Sequence, residues 1–451
     1  MVRYKPYERY KDSGVEWIGK VPEHWNLKPL KSLLMDGKDG VKIGPFGSSL
    51  KLEEFDEGFP YKVYGQENII NDDFSAGSRF ISQEKYAGME VYKLKPRDII
   101  ISMMGTIGRC KVVPLGVNPG IMDSHLIRIR VNKNFLSPEF LQYVIDESDY
   151  IKEQFFVSST GSIMSGLNSS IVKNVFVITP SIPEQQAIAD FLDQKTSEVD
   201  GLIADKEKLV TLLQEYRQVI ISEAVTKGLN PDVKMKDSGV EWIGEIPEHW
   251  EISRISRHFD VCLGKMLQPI KQTDTDTMEK YLCSINLNSI SIVLDMVKEM
   301  WFSSKDREKY EIMAGDLLVC EGGDVGKVAI WDGSIEPCYI QNALHRIRPI
   351  GNNRNQFLKY WFYYIKAIGY IEMICNKATM AHYTREKVCQ SYLLYMSPSE
   401  QQAIADYLDQ KTAEIDDLIT GIQESIAQLK SYRQSLISEA VTGKIDVRGV
   451  I

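Results

Sequence analysis

The chain repeats itself, and that repeat constrains its fold more than any feature of its composition. Residues 11–25 read KDSGVEWIGKVPEHW and residues 236–250 read KDSGVEWIGEIPEHW, thirteen of fifteen identical at an offset of 225. EQQAIADFLDQKTSEVDGLI, from Glu184, returns as EQQAIADYLDQKTAEIDDLI from Glu400, at an offset of 216. The same 216 carries Tyr216-Arg217-Gln218 onto Tyr432-Arg433-Gln434, and Ser222–Thr226 onto Ser438–Thr442. Each half is therefore a short Trp motif, a variable region and a near-identical long segment. The variable regions keep only faint matches: Arg97-Asp98-Ile-Ile with Gly315-Asp316-Leu-Leu, and Ile127-Arg128-Ile-Arg130 with His345-Arg346-Ile-Arg348. One fold carrying two different surfaces accounts for this pattern.

The long segments read as helices. Ile188, Leu192, Lys195, Val199, Leu202, Lys206, Leu209, Leu213, Tyr216 and Ile220 recur at alternating steps of four and three. The second copy gives Ile404, Leu408, Lys411, Ile415, Leu418, Ile422, Ser425, Leu429, Tyr432 and Leu436. That is a heptad seam. Pro183 suits a first helical turn, Ser399 with Gln402 fits a capping box, and Gly228 and Gly443 suit C-terminal stops. A helix of this length spans about 66 Å, and alone it would expose its seam. The two copies are expected to pair as an antiparallel coiled coil within the chain. The alternatives are that each packs on its own globular domain or on a second chain. The predicted class is α+β: two mixed α/β domains in pseudo-two-fold arrangement, joined by two long helices. The boundaries are 1–182 (Trp motif 11–25), a first spacer helix 183–228, 229–398 (Trp motif 236–250), a second spacer helix 399–444, and a tail 445–451. Antiparallel helices would also bring the two chain ends near each other.

Composition excludes several classes. With 451 residues, 43% hydrophobic and 25% charged, the chain suits an ordinary globular protein of about three units. No apolar run reaches the roughly 18 residues a bilayer span needs; Trp361–Ile374 comes nearest and is interrupted by Lys366 and Glu372. The opening MVRYKPYERYKDSG has no apolar core of a secretory signal, so a cytoplasmic protein is expected. Seven cysteines without a CxxC spacing fit reduced, buried thiols. The six histidines are scattered, and a metal site is not expected. The net charge is −9, but residues 184–228 hold nine acidic and five basic residues, and 400–444 hold eight and four. The helices thus carry most of the negative charge, which leaves near-neutral globular domains free to present basic faces.

Catalytic motifs are missing. An Asn/Asp-Pro-Pro-aromatic tetrapeptide for methyl transfer does not occur. Gly322-Gly-Asp-Val-Gly326-Lys327-Val328 has the wrong spacing and ending for a phosphate loop. Asp193-Gln-Lys195 and Asp409-Gln-Lys411 resemble a nuclease D-x-K but sit on the heptad helices. The variable regions carry strand-like runs at Asp98–Ser102, Leu126–Val131, Val175–Ile178, Asp316–Cys320 and Lys327–Trp331, and helical stretches at Phe140–Ile151 and Phe357–Ile374. Their glycine-rich loops are candidate DNA contacts, since small residues, hydroxyls and lysines suit phosphate and Gln, Asn, Arg, Lys, Glu and Asp suit base edges. In the first domain these are Lys42, Gly44, Phe46, Gly47, Ser48, Ser49, Lys51, Gln66, Asn68, Gly105, Thr106, Arg109, Ser159, Thr160 and Ser162. In the second they are Lys265, Gln268, Asn286, Asn288, Glu321, Asp324, Lys327, Lys377, Thr379, His382, Tyr383 and Arg385. Ordinary turn roles are the competing reading for each.

The DSGVEWIGxxPEHW motif, the GPFGSSLK loop, the EQ-x-x-I-A-x-x-L-D helix start and the duplicated layout resemble the specificity subunit of a type I restriction–modification system. The resemblance covers essentially the whole chain. It implies two target-recognition domains, each reading half of a bipartite double-stranded DNA site, with paired helices setting the gap. It implies two methylation subunits docked on the helical region and restriction subunits in the full complex. S-adenosylmethionine, ATP and Mg2+ would be used by those partners, with no cofactor on this chain. Gly264-Lys265-Met-Leu-Gln268 departs from the GPFGSS pattern, which weakens the contact assignments of the second domain. A two-headed protein-interaction scaffold without DNA specificity is the rival class.

Overall fold

The computed structural model describes residues 4–15, 18–46, 49–104, 107–159, 166–288, 292–375 and 381–450. The chain forms two compact units, residues 1–206 with 424–451, and residues 207–423. Each unit thus holds one globular body, the segment of one long helix that continues from it, and a segment of the other.

The two bodies are built alike. In the first, Tyr10–Asp12 pairs antiparallel with Lys20–Pro22, and Asn26–Pro29 with Phe176–Thr179. A four-stranded antiparallel sheet runs in the order Val41–Ile43, Leu126–Ile129, Ile99–Ser102, Cys110–Val112. A three-stranded sheet follows the order Phe80–Ile81, Tyr61–Tyr64, Gly120–Met122, its last pair parallel. The second body repeats this with Met235–Asp237 on Glu245–Pro247 and Glu251–Arg254 on Tyr392–Tyr395. Its four-stranded sheet is Phe259–Leu263, Leu344–Pro349, Leu317–Cys320, Val328–Ile330, and its three-stranded sheet Lys298–Phe302, Thr277–Leu282, Tyr339–Ile340, again with a parallel last pair. The inner strand Ile99–Ser102 is buried throughout. Ile99 and Ile101 pack with Phe140, Leu141 and Val144 on one face, and Ile100 packs with Tyr64 and Met122 on the other. Burial on both faces explains its unbroken apolar run.

Both helical stretches predicted in the variable regions are interrupted. Pro138–Glu147 and Asp149–Ser159 are separated by Ser148, whose backbone is extended. Asn355–Ala367 and Tyr370–Ile374 are separated at Gly369, whose φ of +76° favours glycine.

The long helices run Ile182–Lys227 and Pro398–Val441. Gly228 and Gly443 end them at φ +77° and +71°, left-handed stops. The start of the second is capped by Ser397, whose Oγ accepts from the Glu400 N–H at 3.2 Å, in place of the expected Ser399 and Gln402. The segments pair antiparallel within each unit: Arg433 reaches Asp200 at 2.9 Å in the first, and Arg217 reaches Asp416 at 3.4 Å in the second. Four of the sixteen predicted apolar seam positions are displaced by one residue. Ile188, Leu192, Val199, Ile220, Ile404, Leu408, Ile415 and Leu436 are buried, and Leu213, Ile422, Leu429 and Tyr432 are half-buried. Leu202, Leu209, Tyr216 and Leu418 instead face outward, at 52, 45, 57 and 56% exposure. Their inward neighbours are Ile203, Val210, Arg217 and Ile419. A search for apolarity passes over Arg217 in favour of Tyr216, because it does not count the ion pair Arg217 makes across the seam.

Candidate nucleic-acid interface

The repeated motifs turn out to be a joint. Trp25 is fully buried and its Nε1 donates to Glu184 Oε1 at 3.4 Å, while His24 Nε2 lies 2.8 Å from the same oxygen. In the second unit Trp250 Nε1 donates to Glu400 Oε1 at 3.0 Å, with His249 Nε2 3.1 Å from Glu400 Oε2. The end of the opposite helix closes the joint, for a Cβ on Gly443 would meet Pro22 at 2.4 Å and one on Gly228 would meet Trp250 at 3.2 Å. Burial alone would raise the Glu184 carboxyl, but hydrogen bonds from His24, Ser181 and Trp25 outweigh it and hold the group below its ordinary value. The next residue fixes the body to the helix. Gln185 accepts from the Ser137 N–H at 2.8 Å and donates to the Phe135 and Pro180 carbonyls, and Gln401 accepts from the Arg354 N–H at 3.0 Å. Asp193 and Asp409 each accept from a tyrosine hydroxyl at 2.6 Å, Tyr143 and Tyr360, and Lys195 and Lys411 pair with Glu198 and Glu414. These nuclease-like triplets are structural.

The faint matches between the variable regions are the two halves of one ion pair. Arg130 donates through Nε and Nη2 to Asp98 at 2.8 and 3.0 Å, and Arg348 to Asp316 at 2.7 and 2.8 Å. Asp98 and Asp316 also accept from the Lys95 and Met313 N–H groups, both at 2.8 Å. Arg97 and Gly315 precede them with φ of +69° and +91°, the same left-handed turn.

This framework presents matching hairpin loops. Ser102 and Arg109 bracket one, with Ser102 N donating to Arg109 O at 2.9 Å and Gly108 N to Ser102 O at 3.1 Å. Cys320 and Lys327 bracket the other, with bonds of 2.8 Å and, from Gly326 N, 2.9 Å. The bracketing bonds are shared, but MMGTIGR stands opposite EGGDVGK in sequence.

Around the first loop lies an open cleft of about 620 Å³ whose lining includes Lys42, Phe46, Met103, Met104, His125 and Lys173. Phe46 is 84% exposed, and Lys42 Nζ sits 5.2 Å from the Tyr92 ring centroid. Gln66 donates to the Met104 carbonyl at 2.8 Å, which ties a second candidate to the same loop. Ser49 is half-buried, Lys51 is exposed 3.7 Å from Glu53, and Arg109 is 3.4 Å from Asp146. Two candidates take other roles. A Cβ on buried Gly44 would stand 1.7 Å from the Asp123 carbonyl oxygen, so the glycine permits close packing. Asn68 is fully buried, accepting from the Gly65 N–H at 2.9 Å and donating to the Asp73 and Ala76 carbonyls. Ser159 ends the helix from Asp149. Gly47, Ser48, Gly105, Thr106, Thr160 and Ser162 lie outside the described residues.

In the second unit, Asn286 repeats the role of Asn68: it is buried, accepts from the Cys283 N–H at 2.9 Å and donates to the Val293 carbonyl. Gln268 is buried on Asp276 at 3.0 Å, and Lys265 Nζ is paired with Asp306 at 2.6 Å. Tyr383 is fully buried, its hydroxyl 2.6 Å from Ser391 Oγ. Asn286 and Tyr383 therefore serve the core, because their side-chain polar atoms are met internally, and the Gln268 Nε2 is spent on Asp276 and the Ile270 carbonyl. Asn288 is exposed. Beside the loop, His382 Nδ1 is 3.0 Å from Glu321, Asp324 pairs with Lys327 at 3.1 Å and with Lys366, and exposed Arg385 donates to the Val261 carbonyl at 2.6 Å. Lys377 and Thr379 lie outside the described residues. The sequence reading missed Met103, Met104, His125 and Lys173, which meet in the first cleft only through the fold, and Lys366, which the fold brings to Asp324 in the second unit.

A family model described as the type I restriction modification DNA specificity domain matches residues 43–211 and again 247–428. The type I restriction enzyme MjaVIII specificity subunit of Methanocaldococcus jannaschii is 23% identical over 452 residues, covering 96% of this chain and 95% of that one. The EcoBI specificity subunit of Escherichia coli is 21% identical over 377 residues, 80% of this chain and 76% of that one. Among solved structures, a chain from work on complex assembly and conformational transition of the type I R-M system aligns over 94% of this chain and 99% of its own, with TM-score 0.69 at 17% identity. The HsdS subunit from Thermoanaerobacter tengcongensis aligns over 94% and 98%, with TM-score 0.52 at 15% identity. With its two bodies matched separately and its whole length shared with specificity subunits, the chain belongs to the type I restriction–modification DNA specificity family.

Proposed function

We propose that this chain is the non-catalytic DNA sequence-recognition subunit of a type I restriction–modification complex, each globular body reading one half of a bipartite target. The observation that carries this reading is one framework, built twice with the same internal contacts, presenting hairpin loops of unlike chemistry. Reading two unlike words needs such a constant scaffold with changed contact surfaces. The paired long helices act as the spacer that fixes the gap. They also dock two methylation subunits, and restriction subunits join in the full complex. Support for docking comes from Leu209, Leu212, Tyr216 and Val219, which leave the first helix exposed along one face. S-adenosylmethionine, ATP and Mg2+ serve the partner subunits, and the assembly works in the cytoplasm.

The test is co-expression with a methylation subunit, followed by mapping of methylated bases across a genome by single-molecule sequencing. A split motif with a fixed gap is expected. Continuous motifs, or none with an active partner, would refute the reading and favour a protein-interaction scaffold.

A further inference from the structure

We infer that the Glu321–His382 pair selects a cytosine within the half-site read by the second unit. The inference rests on the DNA-reading role proposed above and names the base chemistry of one loop. It starts from a paired exchange between equivalent places. Met103 follows the strand that ends at Ser102, and its carbonyl accepts from the Leu167 N–H at 3.1 Å. Glu321 follows the strand that ends at Cys320, and its carbonyl accepts from the Tyr383 N–H at 2.8 Å. The residues before those donors are Gly166 and His382. In the first unit a glycine therefore crosses a methionine, with an added Cβ on Gly166 only 3.3 Å from the Met103 carbonyl oxygen. In the second a histidine crosses a glutamate, and their side chains bond.

The pair is held in place. Tyr383, next to His382, is fully buried; its hydroxyl is 2.6 Å from Ser391 and its carbonyl is 2.7 Å from His345 Nε2. His382 Nδ1 lies 3.0 and 3.1 Å from the two Glu321 oxygens, so Nδ1 carries the hydrogen and donates it. Nε2, on a side chain 54% exposed, is an acceptor whenever the ring carries a single hydrogen. The carboxylate, with about four acceptor sites, retains more beside it. The Glu321 carboxylate, with the singly protonated ring beside it, makes an edge of acceptors.

In the major groove, cytosine offers the N4 amino donor, guanine only acceptors, and adenine a donor flanked by the N7 acceptor. An acceptor edge fits cytosine and opposes guanine. Lys327 and Lys366, both on Asp324, place positive charge on the same loop and offset the repulsion between its carboxylates and phosphate.

The test is Glu321→Gln in the full chain, co-expressed with the methylation subunit, with methylated sites mapped as above. Glutamine keeps the shape but adds an amide donor and pairs with adenine N6 and N7. The expected result is a wild-type motif containing a cytosine that in E321Q relaxes or turns to adenine, with methylation of the original sites reduced about 5–150-fold. The gap and the other half-site stay as they were. An unchanged motif and rate, or a uniform loss by an intact complex without any change in base preference, would overturn the inference. Should E321Q fail to assemble, His382→Gly installs the residue the first unit carries at the equivalent place and must relax the same base position. Absence of any split motif from the wild-type complex would instead refute the DNA-reading role itself.

Discussion

Replacing Asp98 with alanine tests whether the buried ion pair holds the first body together. The Asp98 side chain is 5% exposed and meets Arg130, itself 9% exposed, through two bonds, with Arg128 Nε 4.0 Å away. Burial lowers the pKa of the Arg128 guanidinium, and the charge of Arg130 lowers it further. Without Asp98 two adjacent buried cations would share Asp39, which is 59% exposed and lies 3.2 Å from Arg128 and 3.1 Å from Arg130. Removing one partner of a buried pair costs about 3–5 kcal/mol. In a unit of this size each kcal/mol moves the melting temperature by about 2–4 °C, so Asp98→Ala should melt the first unit about 6–20 °C earlier. Asp316→Ala in the second unit should cost less, because Arg348 is 30% exposed and can turn to water. Calorimetry, with hydrogen exchange to assign each transition to a unit, gives both values. A shift below about 2 °C for Asp98→Ala, or a larger loss for Asp316→Ala, would refute the reasoning.

Other outcomes follow from the joint, the helices and the chain ends. The Glu184 carboxyl is held below its ordinary value, so it contributes stability above the unfolded-state pKa and loses it as pH falls through the folded-state value. Glu184→Gln should lower stability at neutral pH and flatten the acid limb, as read by melting temperature from pH 7 down to 3; parallel wild-type and variant curves would contradict this. Leu212→Gln with Val219→Ser installs the residues of the second helix, Gln428 and Ser435, at exposed positions. The fold should survive while co-purification with the methylation subunit falls; undiminished co-purification would remove that face from the docking surface. Inserting one heptad in both helices adds about 10 Å, and the gap in the methylated motif should grow by about three base pairs; an unchanged gap would end the spacer idea. In the first unit Asp446 N donates to Lys5 O at 2.7 Å and the Tyr10 hydroxyl to Gly443 O at 3.0 Å. A circular permutant joined there and opened within residues 229–235 should keep the wild-type motif, and misfolding or a changed motif would refute the idea that the joined ends can replace the 229–235 connection.

The sequence made the framework legible because the framework is what the two halves share. The Trp motif and the EQQ segment are near-identical in both copies, and the structure shows them bonded to each other, Trp25 to Glu184 and Trp250 to Glu400. The Arg–Asp matches survived divergence for the same reason, since neither partner of a buried ion pair can change alone without a large cost. The contact surface was harder to read. Asn68 and Gln66 are both amides two positions apart, yet one caps a turn in the core and the other reaches the hairpin loop. Their chemistry is the same, and only burial separates them. Comparison between the copies supplies what residue type cannot. Asn68 and Asn286 do the same thing in both units and so belong to the framework. Met103 with Gly166 and Glu321 with His382 occupy equivalent places and differ together. A framework residue is constrained by partners that have not changed, whereas a contact residue is constrained by a target that has. Paired change on an unchanged backbone is therefore the mark of a surface that reads something different in each half.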